Sequence, residues 1–409
     1  MELVREGVAQ QETGNFRRTK VLSRRFAGDS LLVFIPDQLS DLIRKGEITE
    51  RYYNPGELFK EVHLVLVNDD KPDPLLVQKT VGSAKLHIHN ISVPKVFQLF
   101  SRYPFLLGYW TRKAIRLAEQ VQPQLIRCHS NRLNAYFASQ IKNKMGTPFV
   151  ISMHINPDLD IRPFLKKRLL KQLYYWALRP IEAISIRNAD AVISVYRFIV
   201  PYLKNLGSRN TKVIYNVINP SQLRPKVKYQ LSNPIRVINI GRQFEQKNPA
   251  PLIEAVGLLP EVDLTLIGTG EYSGMLRQLA DKLGIEKRCH FLPSLSNDEL
   301  CAGLKDFDIF VSVNDYGGVS KVELEAAQVG MPMITNSHPF EAEPEVLGKN
   351  CLVVEGSVGS YVKALQQLIS DSKLREALGI GLRNSVSGLI PDEMESDTVD
   401  LYESLRKKK

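Results

Sequence analysis

The 409-residue chain has few cysteines and no long apolar segment. No two cysteines form a Cys-x-x-Cys pair, which argues against a zinc ribbon and a disulfide framework; they are Cys128, Cys289, Cys301 and Cys351. Without a run of about 18 apolar residues, no membrane-spanning helix is predicted. Residues 1–26 carry charges throughout and lack an apolar core, so we expect no secretory signal and a cytoplasmic location.

Acidic residues are outnumbered, with 44 Asp and Glu against 54 Lys and Arg and a net charge of +10. This balance suits nucleic acid, an anionic membrane or an acidic small molecule as partner. Neither a nucleic-acid recognition motif nor a ladder of aromatic residues accompanies the charge, so we predict no nucleic-acid partner.

Short apolar runs alternate with helix-length amphipathic segments, which is typical of parallel sheets covered by helices. The chain is longer than the roughly 250–300 residues at which a single core stops growing. We therefore predict an α/β protein with two doubly wound, Rossmann-like domains facing each other across a cleft. The predicted strands begin at Leu31, Val62, Gln124, Pro148, Ala191 and Lys212 in the first half, and at Ile235, Val262, Cys289, Asp308, Pro332 and Cys351 in the second.

The predicted division is an N-terminal domain at 1–218, a proline-containing linker at 219–234 and a C-terminal domain at 235–389. A final helix at 390–409 is expected to pack back on the N-terminal domain. Ligands of such sheets bind beyond the carboxyl ends of the strands, so two facing sheets predict a site in the cleft between the domains.

A loop suited to phosphate follows the strand IRVINI. Gly241 ends this strand, Arg242 and Lys247 flank the loop, Asn248 can cap a helix, and Pro249 suits the first turn of that helix. A helix start offers unpaired N–H groups and about half a positive charge. Together with two cations, it predicts binding of a diphosphate.

The same order of elements recurs after the run DIFVSV. Gly317 and Gly318 free the backbone, Ser320 and Glu323 are spaced as a capping box, and Gly330 stops the helix. The repetition predicts a protein that handles a nucleoside diphosphate.

The spacing Gly-Arg, four further positions, Lys-Asn resembles the C-terminal signature of family 4 retaining glycosyltransferases, which adopt the GT-B fold. Four further pieces match in order, namely LTLIGTGEY, FLPSLSNDEL, LKDFDIFVSV and KVELEAAQVGMPMIT. The resemblance covers most of 235–379 and extends more weakly into the first half through NADAVISVYRFIVPYLKNLG and KVIYNVIN.

By that resemblance, Arg242 and Lys247 bind the diphosphate of a nucleotide sugar such as a UDP-sugar, and His154 faces the donor from the N-terminal domain. The resemblance implies a catalytic set of Arg242, Lys247 and His154, and a donor-binding set of Gly241, Leu295, Asp315, Gly318, Val319, Ser320 and Glu325. The alternatives are solvated cations on a loop, a core histidine and an exposed helical glutamate.

One position departs from the family pattern. Glu325 matches the second acidic residue of the family's Glu, seven residues, Glu motif, which holds the ribose, but Gly317 stands at the first position. In the family the first glutamate contacts the transferred sugar. Asp315 is the nearest carboxylate to replace it, and Glu323 is better explained as the capping partner of Ser320.

An acceptor site is predicted with less support. His129 ends the strand before that of His154, and Arg51 and Tyr52 lie in a basic, aromatic loop that replaces the glycine loop many family members carry after their first strand. A core histidine and a surface excursion are the respective alternatives.

Two histidines invite a metal site, because His87 and His89 share one face of a strand. No third ligand is assignable from the sequence, and the family resembled needs no metal. We therefore predict no metal and no cofactor.

The segment 161–180 sets basic residues beside aromatic and apolar ones. It is typical of a helix on a membrane surface, which predicts a peripheral contact with the inner face of the membrane, and equally of a domain helix with one solvated side.

The resemblance implies a retaining, metal-independent hexosyltransferase that moves sugar from a nucleoside diphosphate sugar to a glycan or lipid-linked acceptor, in cell-surface polysaccharide synthesis. A non-catalytic nucleotide-sugar-binding protein on the same fold is the alternative. A dinucleotide-dependent oxidoreductase, raised by the spacing of Gly268, Gly270 and Gly274, lacks the GxGxxG pattern and its ribose-binding acid.

Overall fold

The computed structural model describes residues 29–46, 48–165, 169–216, 218, 223–315, 317–338 and 343–407. Within them, thirteen strands form two sheets in which every strand pair is parallel. The predicted α/β class with two Rossmann-like halves is confirmed.

The first sheet has seven strands in the order β3-β2-β1-β4-β5-β6-β7. Their bounds are β1 Ser30–Ile35, β2 Glu61–Leu66, β3 Lys85–Asn90, β4 Leu125–His129, β5 Phe149–Met153, β6 Ala191–Ser194 and β7 Thr211–Val213. Strand β3 is not among the apolar runs that located the strands above, although His87 and His89 were assigned to a strand. Its sequence KLHIHN alternates polar and apolar residues, unlike the continuous apolar runs of the central strands, because β3 is an edge strand.

The second sheet has six strands in the order β10-β9-β8-β11-β12-β13. They are β8 Ile235–Ile240, β9 Val262–Ile267, β10 Cys289–Leu292, β11 Ile309–Val311, β12 Met333–Asn336 and β13 Leu352–Val354. All six begin within three residues of the predicted starts, because each is a short apolar run that ends in a turn.

Helices cover both sheets. The α-helices are α1 Leu39–Arg44, α2 Pro74–Val77, α3 Lys95–Gln98, α4 Gly108–Val121, α5 Leu133–Met145, α6 Pro157–Asp160, α7 Leu169–Asn188, α8 Val200–Asn205, α9 Ala250–Gly257, α10 Ser273–Lys282, α11 Asn297–Gly303, α12 Lys321–Val329, α13 Val358–Ser370, α14 Ser372–Val386 and α15 Pro391–Arg406. Short 3-10 turns, such as Leu99–Arg102 and Arg162–Leu165, connect several of them.

Apolar packing joins the two halves. One continuous cluster includes Tyr196 and Ile199 from the first half and Phe310, Val319 and Leu324 from the second. Such shared burial opposes separation of the halves, because opening them would expose apolar surface to water.

The last helix returns to the first sheet. Leu401, Tyr402 and Leu405 of α15 pack in the cluster that contains Leu31 and Phe59.

In the predicted linker, Lys226 is buried and donates to the carbonyls of Lys305 and Phe307, so this segment also packs on the second half. The domain boundaries themselves stay a prediction.

Candidate active site

The loop after β8 brings the two predicted cations onto one tight turn. The backbone N–H of Lys247 donates to the Phe244 carbonyl over 2.9 Å, and the Arg242 guanidinium lies 5.1 Å from the Phe244 ring centre. The aliphatic part of Lys247 crosses Gly241, where a Cβ atom would stand 3.4 Å from Cδ of the lysine. Glycine at 241 therefore leaves room for the lysine side chain.

The two cations differ in environment. Arg242 is exposed and Lys247 is half-buried. Burial lowers the pKa of Lys247, the Glu323 carboxylate opposes this, and the positive charge of Arg242 adds to the lowering. Because the charge of Arg242 acts on Lys247, an anion that contacts both side chains would relieve their repulsion.

Asn248 was predicted to be the capping residue of α9, but it lies one residue before that position. Helix α9 begins at Ala250, and Pro249 rather than Asn248 occupies the residue before it. The Asn248 side chain still accepts a bond of 3.1 Å from the Ala250 N–H.

Two of the three glycines that raised the oxidoreductase alternative, Gly268 and Gly270, have a packing explanation. A Cβ at Gly268 would collide with the Gly241 carbonyl, and one at Gly270 would collide with the Gln243 carbonyl. The two glycines thus let the loop after β9 pack against the loop of Arg242 and Lys247.

The start of α12 lies beside the same turn. The N–H of Asp315 donates to the Gln246 carbonyl over 2.9 Å, and its carboxylate accepts from Asn336. The predicted capping box is confirmed, since Ser320 and Glu323 satisfy each other's backbone N–H groups. The backbone N–H groups of Lys321 and Val322 are the first two of the helix, and N–H groups at these positions have no acceptor within their own helix.

Residues 317–319 contact the N-terminal half directly. The Gly317 N–H donates to Asp160 Oδ1 over 2.9 Å, and the Tyr196 hydroxyl donates to the Val319 carbonyl. Gly318 has a φ of +77°, and a Cβ there would stand 2.6 Å from the Tyr196 ring and 2.8 Å from that of Phe198. Both conditions favour glycine.

Glu325 is buried rather than exposed on its helix. Its carboxylate accepts from Asn297 Nδ2 over 3.1 Å and lies 3.6 Å from Lys321 Nζ. Burial raises its pKa, while Lys321 and Asn297 oppose the rise. Leu295, another residue predicted to bind the sugar donor, lies two positions before Asn297 and is 38% exposed.

A cavity of about 600 Å³ opens at the carboxyl ends of the first sheet. It is lined by the predicted residues Tyr52, His129 and His154, and Lys321 reaches it from the second half. Arg51, predicted beside Tyr52, is not among its lining residues, and pairs with Glu395 of α15 at 3.1 Å. Arg51 has a left-handed backbone conformation with a φ of 52°, and its side chain reaches α15 whereas Tyr52 faces the cavity.

The two histidines of this cavity are neighbours, with ring centres 6.2 Å apart. His154 is exposed on the cavity side, and the protein atoms packed around its ring, followed by the positive charge of Arg127, lower its pKa to about 4. Burial, followed by Arg127 and His154, also lowers the pKa of His129, whose Nε2 has no hydrogen-bond partner among the described residues. His154 is thus a neutral hydrogen-bonding group near neutral pH.

Several residues of the cavity were not predicted from sequence. Asp37 follows β1, and Asn131 and Arg132 follow β4, where polar residues directly after buried strands are the signal for a ligand site. Burial raises the pKa of Asp37, while the positive charges of Arg132 and Lys45 oppose it.

Two family models match adjoining parts of the chain. The model described as Glycosyltransferase Family 4 matches residues 60–222, and the one described as Glycosyl transferases group 1 matches residues 224–384. The chain belongs to the family 4 glycosyltransferases.

Curated relatives in this glycosyltransferase family include the lipopolysaccharide core biosynthesis glycosyltransferase LpsE of Rhizobium meliloti. It is 30% identical over 198 residues, which cover 47% of this chain and 57% of LpsE. A sulfoquinovosyl transferase of Arabidopsis thaliana is 24% identical over 80% of this chain and 64% of its own length. The chain thus spans less than two thirds of each of these two relatives.

Solved structures share the GT-B fold. Sucrose-phosphate synthase from Thermosynechococcus elongatus superposes with a TM-score of 0.71 at 16% identity, over 93% of this chain and all of that one. HepE of Anabaena, solved in complex with UDP, superposes with a TM-score of 0.68 at 16% identity, over 92% of this chain and all of HepE.

Within the described residues, no helix has the length and apolar character needed to cross a bilayer.

Proposed function

We propose that this family 4 protein is a retaining glycosyltransferase that moves a hexose-type unit from a nucleoside diphosphate sugar to a glycan or lipid-linked acceptor. The observation that carries the proposal is the single turn that holds Arg242 and half-buried Lys247 together beside α12. A diphosphate bridging these cations would satisfy both charges.

The chemistry follows from where charge develops. Breaking the bond between sugar and phosphate places negative charge on the departing oxygen. Fixed cations in a cleft then stabilise the transition state more than the ground state. Arg242 and Lys247 take the charge-neutralising role, so the proposed transfer needs no divalent ion. With no dedicated nucleophile assigned, we propose front-face attack, in which the departing phosphate helps to deprotonate the acceptor hydroxyl.

The remaining predicted residues divide between donor and acceptor. Buried Glu325 binds the ribose hydroxyls, displacing Lys321 or Asn297 from its carboxylate. Neutral His154 donates a hydrogen bond to the donor from the opposite wall, and Tyr52 and His129 line the acceptor side.

Relatives and structural neighbours favour particular substrates. HepE was solved with UDP, which supports a uridine diphosphate sugar as the donor. LpsE is named for lipopolysaccharide core synthesis and the plant relative for transfer of sulfoquinovose, which supports a role in glycan or glycolipid assembly, here cell-surface polysaccharide.

A thermal-shift titration with UDP, GDP and their sugars tests the donor site. We expect stabilisation of the wild-type protein by one nucleotide and none in Arg242→Ala or Lys247→Ala at the same concentration, with unchanged melting of the unliganded variants. Equal shifts in the variants would contradict the proposal. Slow hydrolysis of the stabilising sugar nucleotide by the wild type would distinguish an enzyme from a non-catalytic binding protein.

An exposed apolar patch supports a lipid-linked acceptor. We define the apolar patch as the exposed residues of 96–109 and of α7, of which Phe105 is 76%, Leu170 is 79% and Trp176 is 52% exposed. The two segments touch, since the Arg102 guanidinium lies 4.3 Å from the Trp176 ring centre. Lys166, Lys167 and Arg168 of the predicted membrane segment lie outside the described residues.

We propose that the apolar patch rests on an anionic bilayer, because exposed cations such as Lys95, Arg112 and Lys171 accompany it. Co-sedimentation with phosphatidylcholine vesicles, with and without phosphatidylglycerol, tests this. Binding should need phosphatidylglycerol and fall in Phe105→Ser and Leu170→Ser, but not in Leu258→Ser, a matched exposed leucine of the second half. Equal loss in all three variants would contradict the proposal.

A further inference from the structure

Three histidines and a glutamate cluster on one face of the first sheet. Strands β2 and β3 are paired in register, with His63 beside His87 and Glu61 beside Lys85. Alternate residues of a strand point to one face, so Glu61 and His63 share it on β2, as His87 and His89 do on β3. The pairing of β2 with β3 therefore places two further candidate ligands, Glu61 and His63, beside His87 and His89. The sequence alone assigned no third ligand.

The donor atoms of three of these residues converge. One ligand atom from each of Glu61, His63 and His87 lies within 4.8 Å of the other two. The ring of His63 stacks on that of His87 with centres 4.3 Å apart, and His63 Nε2 lies 3.9 Å from Glu61 Oε2. A tetrahedral Zn²⁺ with bonds of about 2.0–2.2 Å holds its ligand atoms roughly 3.3–3.6 Å apart, so changes of side-chain rotamer suffice.

The fourth residue supports the arrangement from outside. His63 Nδ1 lies 3.0 Å from His89 Nε2, so His63 can donate its Nδ1 proton to His89 and present Nε2 beside Glu61. A ligating histidine usually donates its other ring N–H to such a partner. His89 therefore fits the role of an orienting partner.

One buried atom lacks a partner. His87 Nε2 is buried and has no hydrogen bond among the described residues, which is unfavourable for a polar atom unless a ligand completes it. Glu61 is held by an exposed contact of 3.6 Å with Lys85, which an incoming cation would displace.

We propose that Glu61, His63 and His87 bind a divalent transition metal of the Zn²⁺ class, with His89 orienting His63. Two histidines and one glutamate are a known three-residue set for Zn²⁺, which leaves a fourth position for water. None of the four residues lines the cavity described above. Glu61 and His63 lie in the first half of β2, away from the carboxyl strand ends, so the metal would tie the edge strand β3 to the sheet rather than act in sugar transfer.

Metal titration of the full chain, stripped with a chelator, tests the site. We expect one equivalent of Zn²⁺ to bind by calorimetry, and Co²⁺ to give the intense visible bands of a four-coordinate site. Glu61→Gln should lose these bands and weaken binding at least about tenfold, and His89→Gln should weaken it by about 10- to 100-fold. The Glu61 side chain is 42% exposed, so its amide variant is expected to fold.

His290→Gln is the matched control. His290 Nε2 and Asp263 Oδ2 lie 3.6 Å apart on β10 and β9 of the second sheet, which offers a histidine and a carboxylate without further ligands among the described residues. Its metal affinity should equal that of the wild type, and UDP stabilisation should persist in Glu61→Gln. Absence of stoichiometric binding, unchanged affinity in Glu61→Gln, or loss in His290→Gln would overturn the site.

Discussion

The carboxylate of Asp160 accepts a hydrogen bond of 2.9 Å from the backbone N–H of Gly317 and so joins the two halves across the cleft. Its other oxygen accepts from the Asn156 N–H over 2.6 Å. By the resemblance to the family pattern, Gly317 stands where the first glutamate is expected, and in this chain the Asp160 carboxylate from the opposite half contacts that position.

We expect Asp160 to make stability depend on pH. Burial raises its pKa from 3.8 to about 6 despite its two backbone bonds. The folded state therefore holds a proton that the unfolded state has lost between about pH 4 and pH 6, and this group's contribution to the free energy of unfolding falls as pH rises through that window. The fall amounts to up to about 3 kcal/mol.

Asp160→Asn isolates this contribution in urea unfolding measured at several pH values. Histidines with lowered pKa values, such as His154, reduce the free energy of unfolding as pH falls, which is the opposite of the effect of Asp160. The difference in this free energy between variant and wild type is therefore the quantity to compare. That difference should rise in favour of the variant from about pH 4 to 6. Asp281→Asn, on an exposed position of α10, should track the wild type. A flat difference for Asp160→Asn would contradict the expected shift.

Local sequence signals predicted much of the fold. Short apolar runs located twelve of the thirteen strands among the described residues, and the Ser320 and Glu323 spacing predicted a capping box that is present. These features depend on residues within a few positions of each other. The apolar runs did not locate the edge strand β3, because its sequence alternates polar and apolar residues; only the two histidines were assigned to a strand there.

Contacts between distant segments were beyond local reasoning. The partners Asp160 and Gly317 are 157 residues apart, and Arg51 meets Glu395 of the last helix. Asp37 and Arg132 reach the same cavity from the ends of neighbouring strands β1 and β4. Strand order decides such meetings, and single-sequence patterns do not specify it.

Lys247→Ala should reduce kcat/KM of sugar transfer by about a hundredfold or more. Loss of one charge-stabilising contact in a transition state typically costs about 2.7–4 kcal/mol. Steady-state kinetics with the nucleotide sugar that stabilises the protein provide the measurement. Lys287→Ala removes a charge from an exposed position of the same half and should leave kcat/KM unchanged. Equal losses in the two variants would point to net charge rather than to the proposed contact.

Gly318→Ala should destabilise the protein. The residue has a φ of +77° and its added Cβ would stand 2.6 Å from the Tyr196 ring. Left-handed backbone costs an alanine about 1–2 kcal/mol, and the steric contact adds to this. Gly274→Ala, at the second residue of helix α10, is the control, because no atom lies within 4 Å of its Cβ. The free energy of unfolding should fall in Gly318→Ala and should not fall in Gly274→Ala.

His154→Ala should lower kcat/KM by about a hundredfold while leaving the dissociation constant of UDP within about twofold, because its hydrogen bond strengthens only as the sugar departs. His154→Gln, which keeps an N–H donor, should recover part of the rate. With a pKa lowered to about 4, the ring is neutral above about pH 5, so its protonation should not shape the wild-type rate between about pH 6 and pH 8. A wild-type titration near pH 6.5 that disappears in His154→Gln would contradict this, since it would show that the ring keeps the ordinary pKa of a histidine.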